Sequence, residues 1–223
     1  MGAGVLALVA GLGVAGCSPV KMGAAAIVGS DRITLATLDT EAGNLSTGVA
    51  KYKGVVTLTQ QQVTQQTLSW LIRFQINERL AKQQGITVSA AQAESSLNQI
   101  ISGAKQQAQQ SGVANPTQDL ILAANGIPPN LAMELGRFQA IETQYLTQAN
   151  GGTLPTSQSA QLDAQFTRAY CLAAKSLNIK VNPQFGRMNY ATFPYSVAAA
   201  ADTVSRPSGI PQTASLAGLT PAC

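Results

Sequence analysis

The sequence predicts a mainly α-helical domain of about six helices, with a small two-stranded sheet formed by the N- and C-terminal ends of the domain. The strongest indication is the run of residues 59–84, which contains neither Gly nor Pro and is rich in helix-forming Gln, Leu, Arg and Lys. A second is an apolar stripe at helical spacing over residues 131–145. The third is a pair of short runs typical of strands, residues 24–29 and 178–183.

The first two helices are predicted from their caps. Thr34 follows the first strand and is a good N-cap for a helix over about residues 35–52. Thr59 begins the long second helix, which stops at Gly85. Its apolar side chains extend well past one narrow stripe, which predicts a helix packed on several sides at the centre of the fold.

The next two helices begin at equally clear signals. Ser89 and Gln92 match a capping box, which opens a third helix to about Gln110 with a thin apolar edge. A short fourth helix runs from about Thr117 to Ala124 and is broken by the Gly-Ile-Pro-Pro sequence that follows.

The last two helices each carry one apolar stripe. The fifth ends at about residue 149, and its stripe consists of Leu131, Leu135, Phe138, Ile141 and Tyr145. The sixth covers about residues 156–177. We therefore expect a helical domain over residues 23–190, a tether over residues 17–22, and an irregular tail rich in Pro, Ser and Ala over residues 191–223.

Composition excludes several classes of function. Charged residues make up 11% of the 223 residues, and Lys and Arg are scattered singly, which argues against nucleic-acid binding. Histidine is absent, so this chain alone cannot provide a Ser-His-Asp or Cys-His mechanism. The sequence contains no cluster of metal ligands, and no pair of acids stands out for catalysis. We expect no enzymatic activity, no cofactor and no metal.

Cys17 ends an uncharged apolar run that is too short to span a bilayer and is typical of a signal peptide. The sequence Val14-Ala15-Gly16-Cys17 resembles the bacterial lipobox. That resemblance implies removal of residues 1–16 and attachment of a lipid to the Cys17 sulfur, which would anchor the protein to the outer side of the cytoplasmic membrane. The alternative is an unmodified cysteine, buried or in a linker.

Two further cysteines, Cys171 and Cys223, are then left in an exported chain. Spare thiols in such a chain usually pair, so we predict a disulfide that joins the last helix to the tail. The alternative is two free thiols.

Several segments carry a resemblance to a known family through their order and spacing. They are residues 25–29, the long helix through Trp70 and Leu71, residues 85–89 and residues 178–186. Together they resemble the N-terminal chaperone domain shared by SurA and PrsA, in the small lipoprotein form familiar from actinobacteria. The resemblance covers roughly residues 23–190. It implies that the first strand pairs with the strand after the last helix.

The resemblance also implies a function. Related foldases carry a parvulin isomerase domain where this chain has only a loop near residues 151–159, which implies a holdase without isomerase activity that binds unfolded or newly exported polypeptides. Client contact requires exposed apolar surface. The candidate groove residues are Trp70, Leu71, Phe74, Met133, Phe138 and Tyr145.

Alternatives remain open at this stage for both the residues and the function. Aromatic residues at helical spacing also suit a closed core. An envelope lipoprotein that binds one specific partner is the second hypothesis, and an enzyme is the third, although the sequence offers no nucleophile with a base.

Overall fold

The computed structural model describes residues 23–153, 160–191 and 193–199, and these residues are mainly helical as the sequence predicts. Six α-helices lie in these ranges, and the first five begin and end close to their predicted bounds. The sixth ends as predicted, while its predicted start at about residue 156 lies outside the described residues. They are α1 (Leu35–Lys51), α2 (Gln60–Gln84), α3 (Ala90–Gln110), α4 (Gln118–Ala124), α5 (Ala132–Ala149) and α6 (Ala160–Ser176).

Five short strands accompany the helices: β1 (Ala24–Val28), β2 (Asp31–Thr34), β3 (Lys180–Val181), β4 (Arg187–Asn189) and β5 (Ser196–Ala198). The first sheet has the order β2-β1-β3 and is antiparallel throughout. Ala26 pairs with Val181 and Ile27 with Lys180, so the two ends of the domain meet as expected.

The sheets differ from the prediction in two respects. The first sheet has a third strand, β2, because Gly29 at φ +64° turns the chain tightly enough for β1 to pair with the residues just before α1. A second sheet joins β4 to β5. The prediction of irregular structure from residue 191 onward is therefore wrong for β5, which is held by contacts with α2 rather than by its own β-propensity.

The helix starts follow from the capping residues identified in the sequence. At α2, the Gln62 backbone N–H donates to Thr59 Oγ1 at 3.2 Å, and the Thr59 N–H donates to Gln62 Oε1 at 2.8 Å. Ser89 and Gln92 make the same reciprocal pair at α3. Each capping box provides acceptors for two backbone N–H groups that have no partner inside the helix. The starts of α2 and α3 are therefore set by residues close to them in sequence.

Helix α2 lies at the centre of the molecule, which confirms the prediction from its wide apolar arc. It contacts α1, α5, α6, β1 and β5. Four of its side chains, spaced one turn apart, are completely buried: Leu68, Ile72, Ile76 and Leu80. They belong to the core between α2, α6, β1 and the β4–β5 hairpin, while a second core lies between α3, α4 and the start of α5.

Candidate functional site

Three aromatic rings from α2 and α5 meet where the two cores adjoin, and we call them the aromatic triad: Trp70, Phe74 and Phe138. The ring centroid of Trp70 lies 5.6 Å from that of Phe74 and 6.2 Å from that of Phe138, and Phe74 lies 6.3 Å from Phe138. The two contacts with Phe138 are edge-to-face, an arrangement that aromatic quadrupoles favour. All three side chains are only half-buried.

The positions of the triad follow from helix geometry. Trp70 and Phe74 are four residues apart and therefore share one face of α2. The indole N–H of Trp70 donates to the carbonyl oxygen of Asn125, just after α4, at 3.2 Å. This bond fixes the orientation of the indole while part of the ring stays accessible.

The guanidinium of Arg73 lies over the Trp70 ring. Its guanidinium carbon lies 4.7 Å from the ring centroid, a cation–π distance. Its Nε donates to the carbonyl of Tyr195 at 2.7 Å and its Nη2 to that of Pro194 at 3.3 Å. Burial lowers the pKa of Arg73, but a guanidinium stays charged in proteins. Arg73 therefore ties the triad to the β4–β5 hairpin.

A pocket of about 70 Å³ opens between α2 and α5 beside the triad, and we call it the α2–α5 pocket. It is lined by Phe74, Asn77, Glu78, Glu134, Arg137 and Phe138. Arg137 forms a two-pronged ion pair with Glu78, and its Nη1 also donates to the carbonyl of Val88 at 2.9 Å. The hydrogen bonds that Arg137 donates to the Glu78 carboxylate raise the pKa of Arg137. The Arg137–Glu78 pair is thus held in place by contacts from α2, α5 and the segment that precedes α3.

Asn77 is the buried polar residue of this pocket. Only 1% of its surface is exposed. Its Nδ2 donates to the backbone carbonyl of Phe138 at 3.0 Å, which fixes the amide orientation, while Oδ1 has no protein donor. A buried carbonyl oxygen without a donor costs stability, and this one is enclosed by the protein rather than open to the pocket.

The structure brings three of the six predicted groove residues into direct contact, and these form the triad. Leu71 packs against both cores and joins them. Tyr145 lies farther along α5, with its ring 5.6 Å from Phe166 and its hydroxyl donating to the Gln165 carbonyl at 3.3 Å. Met133 lies on the first turn of α5 and is 43% exposed. The six side chains therefore do not line one continuous groove.

The predictions for the cysteines are not decided by the described residues. Cys17 and Cys223 lie outside them. Cys171 is 4% exposed and belongs to the core between α2 and α6. Lipidation of Cys17 and a bridge between Cys171 and Cys223 stay predictions.

Sequence reasoning missed Arg73, Asn77, Glu78 and Arg137. One signal for Asn77 was present: it occupies the α2 face of Trp70 and Phe74, where a polar residue interrupts an otherwise apolar stripe. The ion pair of Glu78 with Arg137 had no such signal, because its partners are 59 positions apart and meet only when α5 packs on α2.

Comparisons of this chain with protein-family models, with curated proteins and with solved structures found no match. The similarity to the SurA and PrsA chaperone domain therefore rests on the sequence segments alone.

In the part of the chain that the structure describes, no helix is long and apolar enough to cross a membrane. Within the same residues, no group of three or more His, Cys, Asp or Glu side chains is placed to hold a metal ion.

Proposed function

We propose that this protein is a holdase-type chaperone of the cell envelope, anchored to the membrane through a lipid on Cys17. It binds unfolded or newly exported polypeptides on the surface of the aromatic triad and performs no isomerisation. The proposal rests first on one observation, the three half-buried rings of Trp70, Phe74 and Phe138 in mutual contact beside a pocket.

The physical requirements of a holdase support this assignment. Such a protein needs apolar surface that is accessible to many sequences and rigid enough to avoid a large ordering cost. Burial of roughly a few hundred Å² of apolar surface at about 25 cal/mol per Å² supplies micromolar affinity after those costs. Aromatic rings suit this role because they provide large contact areas and have few torsions. The hydrogen bond from Trp70 to Asn125 and the contact with Arg73 hold the Trp70 ring in place.

The resemblance to the SurA and PrsA chaperone domain supports the same assignment as a holdase. The β2-β1-β3 sheet pairs the first strand with the strand after the last helix, which is the pairing that the resemblance implies. The lipobox-like sequence before Cys17 supports an extracytoplasmic location.

The test of chaperone activity is protection of several unrelated unfolded proteins. We expect the purified protein, at near-stoichiometric amounts, to suppress light scattering by at least three chemically different clients as they are diluted from denaturant. Suppression of a single client would instead favour an envelope lipoprotein with one specific partner. Failure with every client would reject the holdase assignment.

The test of the anchor is metabolic labelling with a fatty acid. We expect the wild-type protein to incorporate the label and to fractionate with membranes. Cys17→Ala should lose both properties. Cys171→Ala is the matched control because its cysteine lies in the folded core, so it should keep the label. Unchanged labelling of Cys17→Ala would reject the lipid anchor.

A further inference from the structure

The first sheet has one face against the core and one face turned outward. Ala26 and Val28 of β1 are buried in the core. Side chains alternate along a strand, so Ile27 lies on the opposite face. Ile27 pairs with Arg32 of β2 on one side and with Lys180 of β3 on the other, and paired residues share a face. We call these three side chains the outer sheet face.

The outer sheet face carries two positive charges around one apolar side chain. Arg32 and Lys180 are exposed and Ile27 is partly exposed. The two cations are two strand spacings apart, about 10 Å. Neither makes an ion pair among the described residues. Asp31 pairs with Val28 and therefore lies on the core side of β2, where it does not neutralise this face.

The predicted tether joins the domain beside this face. Gly23 directly precedes β1, and Arg32 Nη2 donates to its carbonyl oxygen at 3.3 Å. Cys17 lies six positions before Gly23, and a segment of that length spans at most about 20 Å even when fully extended. A lipid on Cys17 would therefore keep the outer sheet face close to the membrane. Lys21 adds another positive charge within the tether sequence.

We propose that the outer sheet face lies on the membrane in which Cys17 is anchored and binds anionic phospholipid headgroups. Arg32 and Lys180 contact the phosphate groups, and Ile27 packs against the interface between them. This inference rests on the proposed function, because the lipid on Cys17 is what brings the sheet to the membrane.

The contact is strong enough to orient a tethered domain. Each cation near an anionic membrane surface strengthens binding about fivefold, and an apolar side chain at the interface adds to this. The tether makes the contact intramolecular, so a weak interaction suffices. Because α2 packs on the inner face of β1, this contact turns the side of the sheet that carries α2 away from the membrane. The aromatic triad of α2 is then left accessible to clients.

The first test measures vesicle binding of the full chain with Cys17→Ser, which cannot carry the lipid. The probes are vesicles of phosphatidylcholine alone and of an equal mixture of phosphatidylcholine and phosphatidylglycerol. The measured quantity is the ratio of the two partition coefficients, determined by sedimentation. Residues 1–16 are uncharged and identical in every variant, so the ratio isolates the effect of charge. We expect Lys180→Gln and Arg32→Gln each to lower the ratio about fivefold.

Lys53→Gln is the matched control in the same Cys17→Ser chain. It also removes one exposed lysine charge, but Lys53 lies beyond the far end of the 17-residue helix α1, about 25 Å from β2. A charge that distant from the contact is screened by salt, so the ratio should change less than about twofold. Equal losses for Lys180→Gln and Lys53→Gln would assign the attraction to net charge and overturn the proposal. A ratio near one for the chain with Cys17→Ser alone would also overturn it.

Acetylation of lysines provides a second test that needs no variant. The lipidated wild-type protein is placed on vesicles of the mixed composition, treated with an acetylating reagent and analysed by mass spectrometry. Lys180 should be protected relative to Lys53, and equal acetylation of the two would overturn the proposal. Loss of the Lys180-dependent preference rejects the membrane contact but leaves the anchor and the holdase function intact. A Lys180-dependent preference in a chain whose Cys17 incorporates no fatty acid supports the contact and rejects the anchor.

Discussion

The Ser69 hydroxyl of α2 accepts a hydrogen bond from the backbone N–H of Val197 at 2.8 Å and donates one to the Gln65 carbonyl at 2.6 Å. The first of these bonds joins the central helix to strand β5 across 128 positions of sequence. Ser69 is 3% exposed and Val197 is 5% exposed, so water cannot readily replace either partner. This contact and the Arg73 bonds to Pro194 and Tyr195 hold the β4–β5 hairpin on α2.

Ser69→Ala leaves the buried N–H of Val197 without an acceptor. We expect the free energy of unfolding to fall by about 1–3 kcal/mol, measured by urea denaturation. Ser95→Ala on the exposed face of α3 is the matched control and should change stability by less than about 0.5 kcal/mol. Equal effects of the two substitutions on the free energy of unfolding would mean that the Ser69 contact contributes nothing to stability.

Trp70→Ser removes the ring that contacts Phe74, Phe138 and Arg73. Because loss of an aromatic contact costs on the order of 1 kcal/mol, we expect the protein concentration needed to suppress client aggregation to rise roughly fivefold. Helix content measured by circular dichroism should stay unchanged. Val55→Ser, at an apolar residue 61% exposed after α1, should have no effect on either property. A parallel loss of helix content and suppression would show that Trp70 serves packing alone.

Gly136→Ala tests the close approach of α3 and α5. A Cβ at residue 136 would overlap the Ala93 carbonyl oxygen and lie 2.8 Å from the Leu97 Cβ. We expect a loss of stability of about 1–3 kcal/mol, because the two helices must separate. Gly103→Ala within α3 meets nothing within 4 Å and should raise stability by up to about 1 kcal/mol. Thermal unfolding of the two variants should therefore shift in opposite directions.

Glu142 on α5 makes stability depend on pH. Burial raises the pKa of its carboxyl group, and the negative charge of Asp163 on α6 adds to this effect. Ionised Glu142 is thus disfavoured in the folded state at neutral pH, and this penalty disappears as pH falls through the raised pKa towards the ordinary value of about 4.3.

Glu142→Gln should therefore be more stable than the wild-type protein at neutral pH, and the difference in unfolding free energy should shrink as pH falls to about 4. Glu134→Gln, at an exposed carboxylate of the same helix, should differ from the wild-type protein by less than about 0.5 kcal/mol at both pH values. A stability gain of Glu142→Gln that does not depend on pH would contradict this explanation.

The helices were predictable because their signals are local. Thr59 and Ser89 begin capping boxes that the structure contains, and Gly85 ends α2 at φ +65° as expected for a left-handed terminus. The pairing of β1 with β3 was also predicted, since both runs have strand patterns at the ends of the domain.

The hairpin and the pocket were not predictable because they depend on tertiary contacts. Residues 196–198 form a strand only where Ser69 and Arg73 of α2 hold the chain. The pocket exists because α5 brings Arg137 and Phe138 against Asn77 and Glu78 of α2. No sequence pattern within one helix predicts which residues of another helix will lie against it. The three triad residues are among the six predicted groove residues, but neither their mutual contact nor their separation from Tyr145 and Met133 was predicted.

The place of β1 between β2 and β3 governs the order in which this molecule can assemble. Its second edge, at Ala26 and Ile27, pairs with residues 180 and 181. Because synthesis starts at the N-terminus, the sheet cannot close until almost the whole domain has been made. Contacts between such distant parts of a sequence slow folding. Until residues 180 and 181 dock, the open Ala-Ile-Val edge offers unpaired N–H and C=O groups to other chains.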